Sequence, residues 1–221
     1  MTPTSNQVVI YDLDGTLVPF NSYKRWLVFT VVSALFFLNW DYCWLIVKTT
    51  IKRICCKPHR RCGLDPQSPN NEKRVIFKQT IVAFHEQKAH RRFVKWCNFR
   101  FAVYLKKKTR KELLEAGKDL YLATAAPDCY VKHYAQLMNC FRDYSATCFE
   151  KGVMHENIGA NKLTAVSQQL GNNITHATLY TDHEDDLPLA YNVSVVFLVN
   201  PTERTKQVFI SAGISFIIKS Y

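Results

Sequence analysis

The chain is short of several things, and each shortage excludes a class. Only 7 Gly and 8 Pro occur in 221 residues, which excludes collagen-like and low-complexity readings. Hydrophobic residues make up 48% and charged ones 21%, so wholesale disorder is excluded as well. No internal repeat is present. The opening MTPTSNQ has no positive side chain, and the first apolar run after it is a strand-like VVIY. That is not a secretory signal, so the 8 cysteines are expected to be reduced. The tightest group, Cys55, Cys56, His59 and Cys62, matches no standard zinc spacing and lacks a second ligand pair. Arg53, Lys57, Arg60 and Arg61 crowd it, and free thiols are the expectation. Asn173 and Asn192 open glycosylation patterns, which carry no meaning in an unexported chain.

Acidic residues are also scarce, 18 against 29 Lys+Arg, for a net charge of +11. The imbalance is not uniform. Between Asn21 and Lys118 there are 22 Lys+Arg and 6 Asp+Glu, a balance of +16, whereas the remainder has 7 and 12, a balance of −5. A basic block set into an acidic remainder points to one part of the molecule meeting a polyanion. The length suits one domain with an accessory element and is ample for a core.

The acidic part alternates strand-like and helix-like pieces. Strands are expected at 8–11, 120–124, 145–149, 177–181, 193–199 and 214–218. Helices are expected near 128–138, 161–170 and 203–211, the second stopping at Gly171. This rhythm predicts an α/β fold, a doubly wound parallel sheet, with its ligand site at the carboxyl ends of the strands. Residues 20–118 show no strand pattern. They read as helices at 26–38, 41–56, 72–87 and 89–117, with a turn-rich connector at 57–72. The plan is a Rossmann-like catalytic core (1–20 and 119–221) carrying an α-helical cap (21–118) inserted after the first strand, with an apolar hairpin at 26–56. His85, His90 and His133 fall on helices and read as structural or exposed.

The chemistry sits at predicted strand ends. Asp12-Leu-Asp14-Gly15-Thr16 follows the first strand, and Asp182-His-Glu-Asp185-Asp186 follows the strand at 177–181. Paired carboxylates there suit a divalent cation, and Gly15 lets the chain leave the strand sharply. Thr124 ends another strand and Lys162 opens a helix, so a hydroxyl and an ammonium are available for a phosphoryl group. Carboxylate and phosphate repel by about 4 kcal/mol at 4 Å and an effective dielectric of 20. Hence Mg²⁺ is expected on Asp12, Asp14 and Asp182, with Lys162 beside it and Asp185 and Asp186 orienting the metal shell. Asp12 is the expected nucleophile and Asp14 the expected general acid and base.

DLDGT, a strand-end Thr, a Lys and then TDHEDDLPL, in that order over about 180 residues, resemble the haloacid dehalogenase superfamily of phosphohydrolases. The resemblance implies the roles just given. YTDHEDDLPLA and VNPTERTKQVFISAGISFI are similar to the phosphoserine-phosphatase-like branch, in which a Ser usually stands where this chain has His183. The apolar and basic insertion, with FVKWC (93–97) and the loop before GANK (159–162), is similar to phosphatidylglycerophosphatase C and its bacterial relatives, which implies a membrane lipid phosphate as substrate. Phosphoserine or another small phosphoester is the alternative, and a membrane-binding adaptor keeping only the fold is a third.

Residues 26–47 hold one charge, Asp41. A single membrane crossing would separate Asp12 from Thr124, Lys162 and Asp182, which lie after the segment. The arm 26–38 makes a helix of about 20 Å, short of the ~30 Å hydrocarbon core. The expectation is a hairpin turning near Asn39-Trp40-Asp41 and dipping into one leaflet from the cytoplasmic side. Tyr23, Trp26, Trp40, Tyr42 and Trp44 would sit at the interface, and Lys48, Lys52, Arg53, Lys57, Arg60 and Arg61 would meet anionic headgroups. Nucleic acid is not expected, because no binding motif accompanies the cations.

Overall fold

Strand β1, Val8–Tyr11, is apolar and buried along its whole length. A strand covered on both faces needs no polar alternation, and this one lies mid-sheet. The computed structural model describes residues 7–55, 68–89 and 91–221. Strands β2 (Asp119–Pro127), β3 (Phe141–Glu150), β4 (Val153–His155), β5 (Thr178–Thr181), β6 (Val195–Val199) and β7 (Ile217–Lys219) complete the sheet. Their order is β4-β3-β2-β1-β5-β6-β7. All neighbours run parallel except β3 and β4. The sheet is the doubly wound α/β arrangement that the alternation predicts. The winding reverses at β1, and open α/β sheets bind ligands at such a point.

Successive β1 residues feed opposite cores. Val9 and Tyr11 join one apolar cluster; Val8 and Ile10 join the other. The second is closed by α6 (Ala160–Leu170), α7 (Leu187–Ala190) and α8 (Glu203–Ser211), through residues such as Val166, Leu189 and Phe209. The first holds Tyr130 and Tyr134 from α5 (Asp128–Met138).

Between β1 and β2 lie α1 (Ser22–Phe36), α2 (Trp40–Cys55), α3 (Ser68–Gln87) and α4 (Arg92–Lys108). They are not a detached lobe. Trp26 of α1 and Phe101, Ala102 and Leu105 of α4 belong to the same cluster as Tyr11 and Tyr130. A polar knot ties the four helices together. Asn98 Oδ1 accepts from Trp26 Nε1 and faces His85 Nδ1, each at 3.1 Å, and the Tyr42 hydroxyl meets Thr30 at 2.9 Å. His85 is fully buried, and burial pushes its imidazole down to about 3, against the bond to Asn98. His133 is half-buried.

The first two helices form the expected hairpin, turning over residues 37–39. The apolar stripe of α2 faces outward: Trp44, Val47 and Ile51 are exposed, while Tyr42 and Thr49 turn inward. On the other arm Val28, Val32, Leu35 and Phe36 are exposed too. Phe37 closes the tip against Trp96 of α4, 4.9 Å away. Among the described residues no helix is long and apolar enough to cross a membrane. Cys56, His59, Cys62, Lys57, Arg60, Arg61 and His90 lie outside the described residues, as do the side chains of Lys52, Arg53 and Cys55. Cys43, Cys97, Cys129, Cys140 and Cys148 are free thiols.

Candidate active site

Asp12 is the first residue past β1, and its amide still donates to the Tyr180 carbonyl of β5 at 2.9 Å. The sheet therefore carries its carboxylate to the switch point, where it is buried. Leu13 turns inward, and the chain then bends through Gly15 at φ +74. A Cβ there would lie 1.9 Å from Asp182 Oδ2, so glycine is required both for the turn and for the close approach of Asp182. Arg110 fastens the turn from the far end of the insertion. Its Nη1 donates to the carbonyls of Gly15 and Thr16, each at 2.8 Å.

Asp14 points at the start of α1, where Ser22 N–H donates to its Oδ1 at 2.9 Å. A carboxylate at a helix N-terminus is stabilised by the unpaired amides there. Lys162 enters from the first turn of α6. Its Nζ lies 3.0 Å from Asp12 Oδ1 and 2.5 Å from Asp186 Oδ1, and Asp186 Oδ2 accepts from Thr181 Oγ1 at 2.7 Å. Thr124 lies in β2, its hydroxyl accepting from Ala126 N–H at 3.1 Å. Asn157 braces that strand, donating to the Thr124 carbonyl and to Ser145 Oγ at 3.0 Å each. One cavity of about 750 Å³ is lined by Asp12, Asp14, Thr124, Lys162, Asp182, Asp185 and Asp186. Every site residue expected from the sequence is brought to it.

The electrostatics follow from crowding. Burial raises the Asp12 carboxyl well above its usual range; Lys162 opposes this, while Asp186, Asp182 and Asp14 add to it. Burial raises Asp14 against the bonds from Ser22. Asp182 is pushed up to about 6 by burial, eased by His183. Burial works against the Lys162 ammonium, but Asp12 and Asp186 outweigh it and the pKa rises. His183 is pushed up to about 9, first by its bond to Asp185, against partial burial.

The sequence expects Asp185 and Asp186 to orient a metal shell. Asp186 instead faces Lys162 and Thr181, because a buried ammonium needs a second counter-charge; the Asp185 carboxylate lies 3.2 Å from His183 Nδ1. Among the described residues, no three His, Cys, Asp or Glu side chains are grouped to hold a cation. The carboxylates of Asp12 and Asp14 are each engaged by a donor of their own, Lys162 and Ser22. The donor chemistry still suits Mg²⁺. That ion takes oxygen ligands, keeps several waters and is content with one or two carboxylates. Asp12 and Asp182 would supply those, and Asp14 would offer a third oxygen from side chain or main chain.

Sequence reasoning missed Lys78, Glu156, Asn157 and Arg110. Lys78 and Glu156 line the same cavity and pair at 2.7 Å. Lys78 is one cation among many on a basic helix, and no local pattern distinguishes it. Asn157 is a loop residue whose partners are up to 33 positions away.

The model of the haloacid dehalogenase-like hydrolase family matches residues 9–191, which span all of these side chains. No curated protein matches the chain significantly. Among solved structures, a protein of unknown function from Bordetella pertussis Tohama I is similar at 17% identity and a TM-score of 0.53, over 96% of this chain and 99% of that one. Apo phosphoserine phosphatase is similar at 11% identity and 0.50, over 97% and 94%. A phospho-aspartyl intermediate analogue of phosphoserine phosphatase follows at 10% and 0.50, over 96% and 93%. At these identities the likeness is one of fold.

Proposed function

Since the chain belongs to the haloacid dehalogenase-like hydrolase family, we propose that it is a Mg²⁺-dependent phosphomonoesterase acting through a phosphoaspartate on a membrane lipid phosphate such as phosphatidylglycerophosphate. The observation that carries the reaction is the meeting of Asp12, Asp14, Thr124 and Lys162 in one cavity at the switch point of the sheet. Asp12 attacks phosphorus, and the ester oxygen departs with the proton that Asp14 gives it. Burial raises the Asp14 carboxyl, which favours its carrying that proton. Asp14 then takes a proton from water, which opens the acyl phosphate and restores Asp12. Lys162 offsets phosphoryl charge and is itself fixed by Asp186. The Thr124 hydroxyl, held within β2, which runs three residues further than the sequence suggests, orients a phosphoryl oxygen. Asp12 and Asp182 would hold Mg²⁺, which would supply positive charge to offset that of the phosphoryl group.

The lipid reading rests on the outside of the insertion. Phe36, Trp40 and Trp44 are 80%, 71% and 68% exposed. The same insertion exposes the cations Lys48 on α2 and Arg92 and Lys95 on α4. A contiguous apolar tip of this kind, on an insertion that exposes cations, fits the interface of an anionic bilayer. The arm α1 starts at the site, with Ser22 holding Asp14, and ends at the tip, so substrate drawn from the bilayer travels about one helix length to Asp12.

The test is phosphate release by the purified chain from phosphatidylglycerophosphate, phosphatidic acid and phosphoserine, with Mg²⁺ or with chelator. Mg²⁺-dependent release preferring the lipids is expected, with Asp12→Asn lowering it about a thousandfold or more. Release that survives Asp12→Asn removes the nucleophile. A preference for phosphoserine replaces the lipid with a soluble ester, and no release from any ester favours an adaptor.

A further inference from the structure

The cavity holds a second cation, Lys78, which the reaction just described assigns to no bond with the transferred phosphoryl group, although its charge eases the burial that raises Asp14. Lys162 is committed to Asp12 and Asp186. Lys78 comes from the opposite side, from α3 in the insertion, and its ammonium lines the same cavity. It meets Glu156 Oε1 at 2.7 Å and the Ala125 carbonyl, next to Thr124, at 3.3 Å. Glu156 stands in the segment between β4 and α6, so the pair joins the insertion to the core across the cavity. The two partners differ in freedom. The Lys78 side chain is 15% exposed and Glu156 30%. A shielded ammonium loses much if left alone, whereas a wetter carboxylate is the easier of the two to return to water.

We propose that Lys78 is a specificity-determining residue that binds a second anionic group on the leaving group of the phosphoester, with Glu156 as the counter-charge that this anion replaces. The inference rests on the phosphatase reading and narrows its substrate class to esters carrying a second anion. Phosphate chemistry occupies Lys162 and Thr124; the leaving group extends toward the insertion, where Lys78 is. A charge-assisted bond to the ammonium favours an ester with such an anion over one without it. A carboxylate and a phosphodiester present the same chemistry to Lys78, and they separate by substrate.

The experiment compares kcat/KM within matched pairs of esters. Phosphoglycerate against glycerol phosphate tests a carboxylate; phosphatidylglycerophosphate against phosphatidic acid in detergent tests a phosphodiester. The wild-type chain should favour the anion-bearing member of at least one pair by about tenfold or more. Lys78→Met should erase that preference and Lys78→Arg should retain it. Glu156→Gln should strengthen it, mainly by lowering KM for the anion-bearing ester. Lys107→Met, an exposed cation on α4, should leave the ratio as it is. Equal losses on both members of each pair in Lys78→Met would mean that Lys78 serves the transferred phosphoryl group or the fold, and would overturn the proposal. Should Lys78→Met fail to fold, an unchanged ratio in Glu156→Gln overturns it equally. Wild-type hydrolysis with no preference in either pair rejects the second-anion site while leaving the phosphatase reading intact. No hydrolysis of any ester rejects the phosphatase reading, and this inference with it.

Discussion

Asp182 shows how little of a residue's chemistry is visible at its own position. Its side chain packs over Gly15, which is possible because that residue has no Cβ. Burial and the neighbouring Asp186 and Asp14 hold its proton up to a pKa of about 6, and Asp12 and Asp14 are raised as well. Under the proposed function, protons and Mg²⁺ would therefore compete for the same oxygens. The signs are definite. A carboxyl whose folded pKa exceeds its unfolded value binds its proton more tightly in the folded chain. Its contribution to stability is full below the unfolded value, near 4 for Asp, and is lost as pH rises through the folded one. Bound Mg²⁺ reverses this by favouring the ionised forms. The gain in Tm from saturating Mg²⁺ should accordingly be small near pH 5 and grow through pH 6 to 7. Thermal melts at matched pH with Mg²⁺ or chelator read it directly, and Asp182→Asn should shrink the gain and its pH dependence. A gain that is flat across this range would contradict carboxylate binding of the ion.

At the scale of elements, the insertion is held by aromatic packing and by the knot around Asn98. His85 is the imidazole in it, facing Asn98 and packed between Trp26 and Tyr42, with centroids at 4.4 and 5.4 Å. Burial keeps its imidazole neutral down to about pH 3. The unfolded chain takes up that proton near the ordinary value of about 6.5, so stability falls as pH drops below it, by at most about 1.4 kcal/mol per pH unit. His85→Gln should remove most of that slope while lowering stability at pH 7.5; chemical denaturation at pH 5 and 7.5 measures both, and an undiminished slope would locate the acid sensitivity elsewhere. Much of the core was legible beforehand. The strand at 8–11 and the helices near 128–138, 161–170 and 203–211 follow from apolar runs and stop signals, and they stand close to where those place them. Strand β4 escaped because three residues, paired antiparallel to the end of β3, leave no periodicity to read. The outward placing of Trp40 and Trp44 was legible, but Trp26 and Tyr42, expected at the same interface, are buried in the core and the knot. Composition shows that a helix carries aromatic residues, and only the packing shows which of them it hides. Likewise the motif residues announced the catalytic cavity, whereas Lys78 and Glu156 are joined across 78 positions by topology alone.

For the whole molecule the net charge of +11 is a partition. The insertion carries +16 and the remainder −5, and the remainder holds Asp12, Asp14, Asp182, Asp185 and Asp186 in the cavity. A uniformly basic chain would attract anions everywhere; here the positive balance lies in the segment that also exposes Phe36, Trp40 and Trp44. Near an anionic surface each cation contributes on the order of 1 kcal/mol, screened within a Debye length of about 10 Å at 0.1 M salt. Burial of apolar side chains is far less sensitive to salt. Two components of vesicle binding should therefore separate. Co-sedimentation with phosphatidylglycerol-containing vesicles should be strong at low salt and weaken as salt rises, while a salt-resistant fraction persists through the apolar tip. Replacing Phe36, Trp40 and Trp44 together by Ser should remove the persistent fraction. Because these side chains already face solvent, their replacement costs the fold little, and turnover of a soluble ester should stay within about twofold. Binding that is absent at low salt removes the membrane from the account, and binding that survives both high salt and the triple substitution would move the contact to another face.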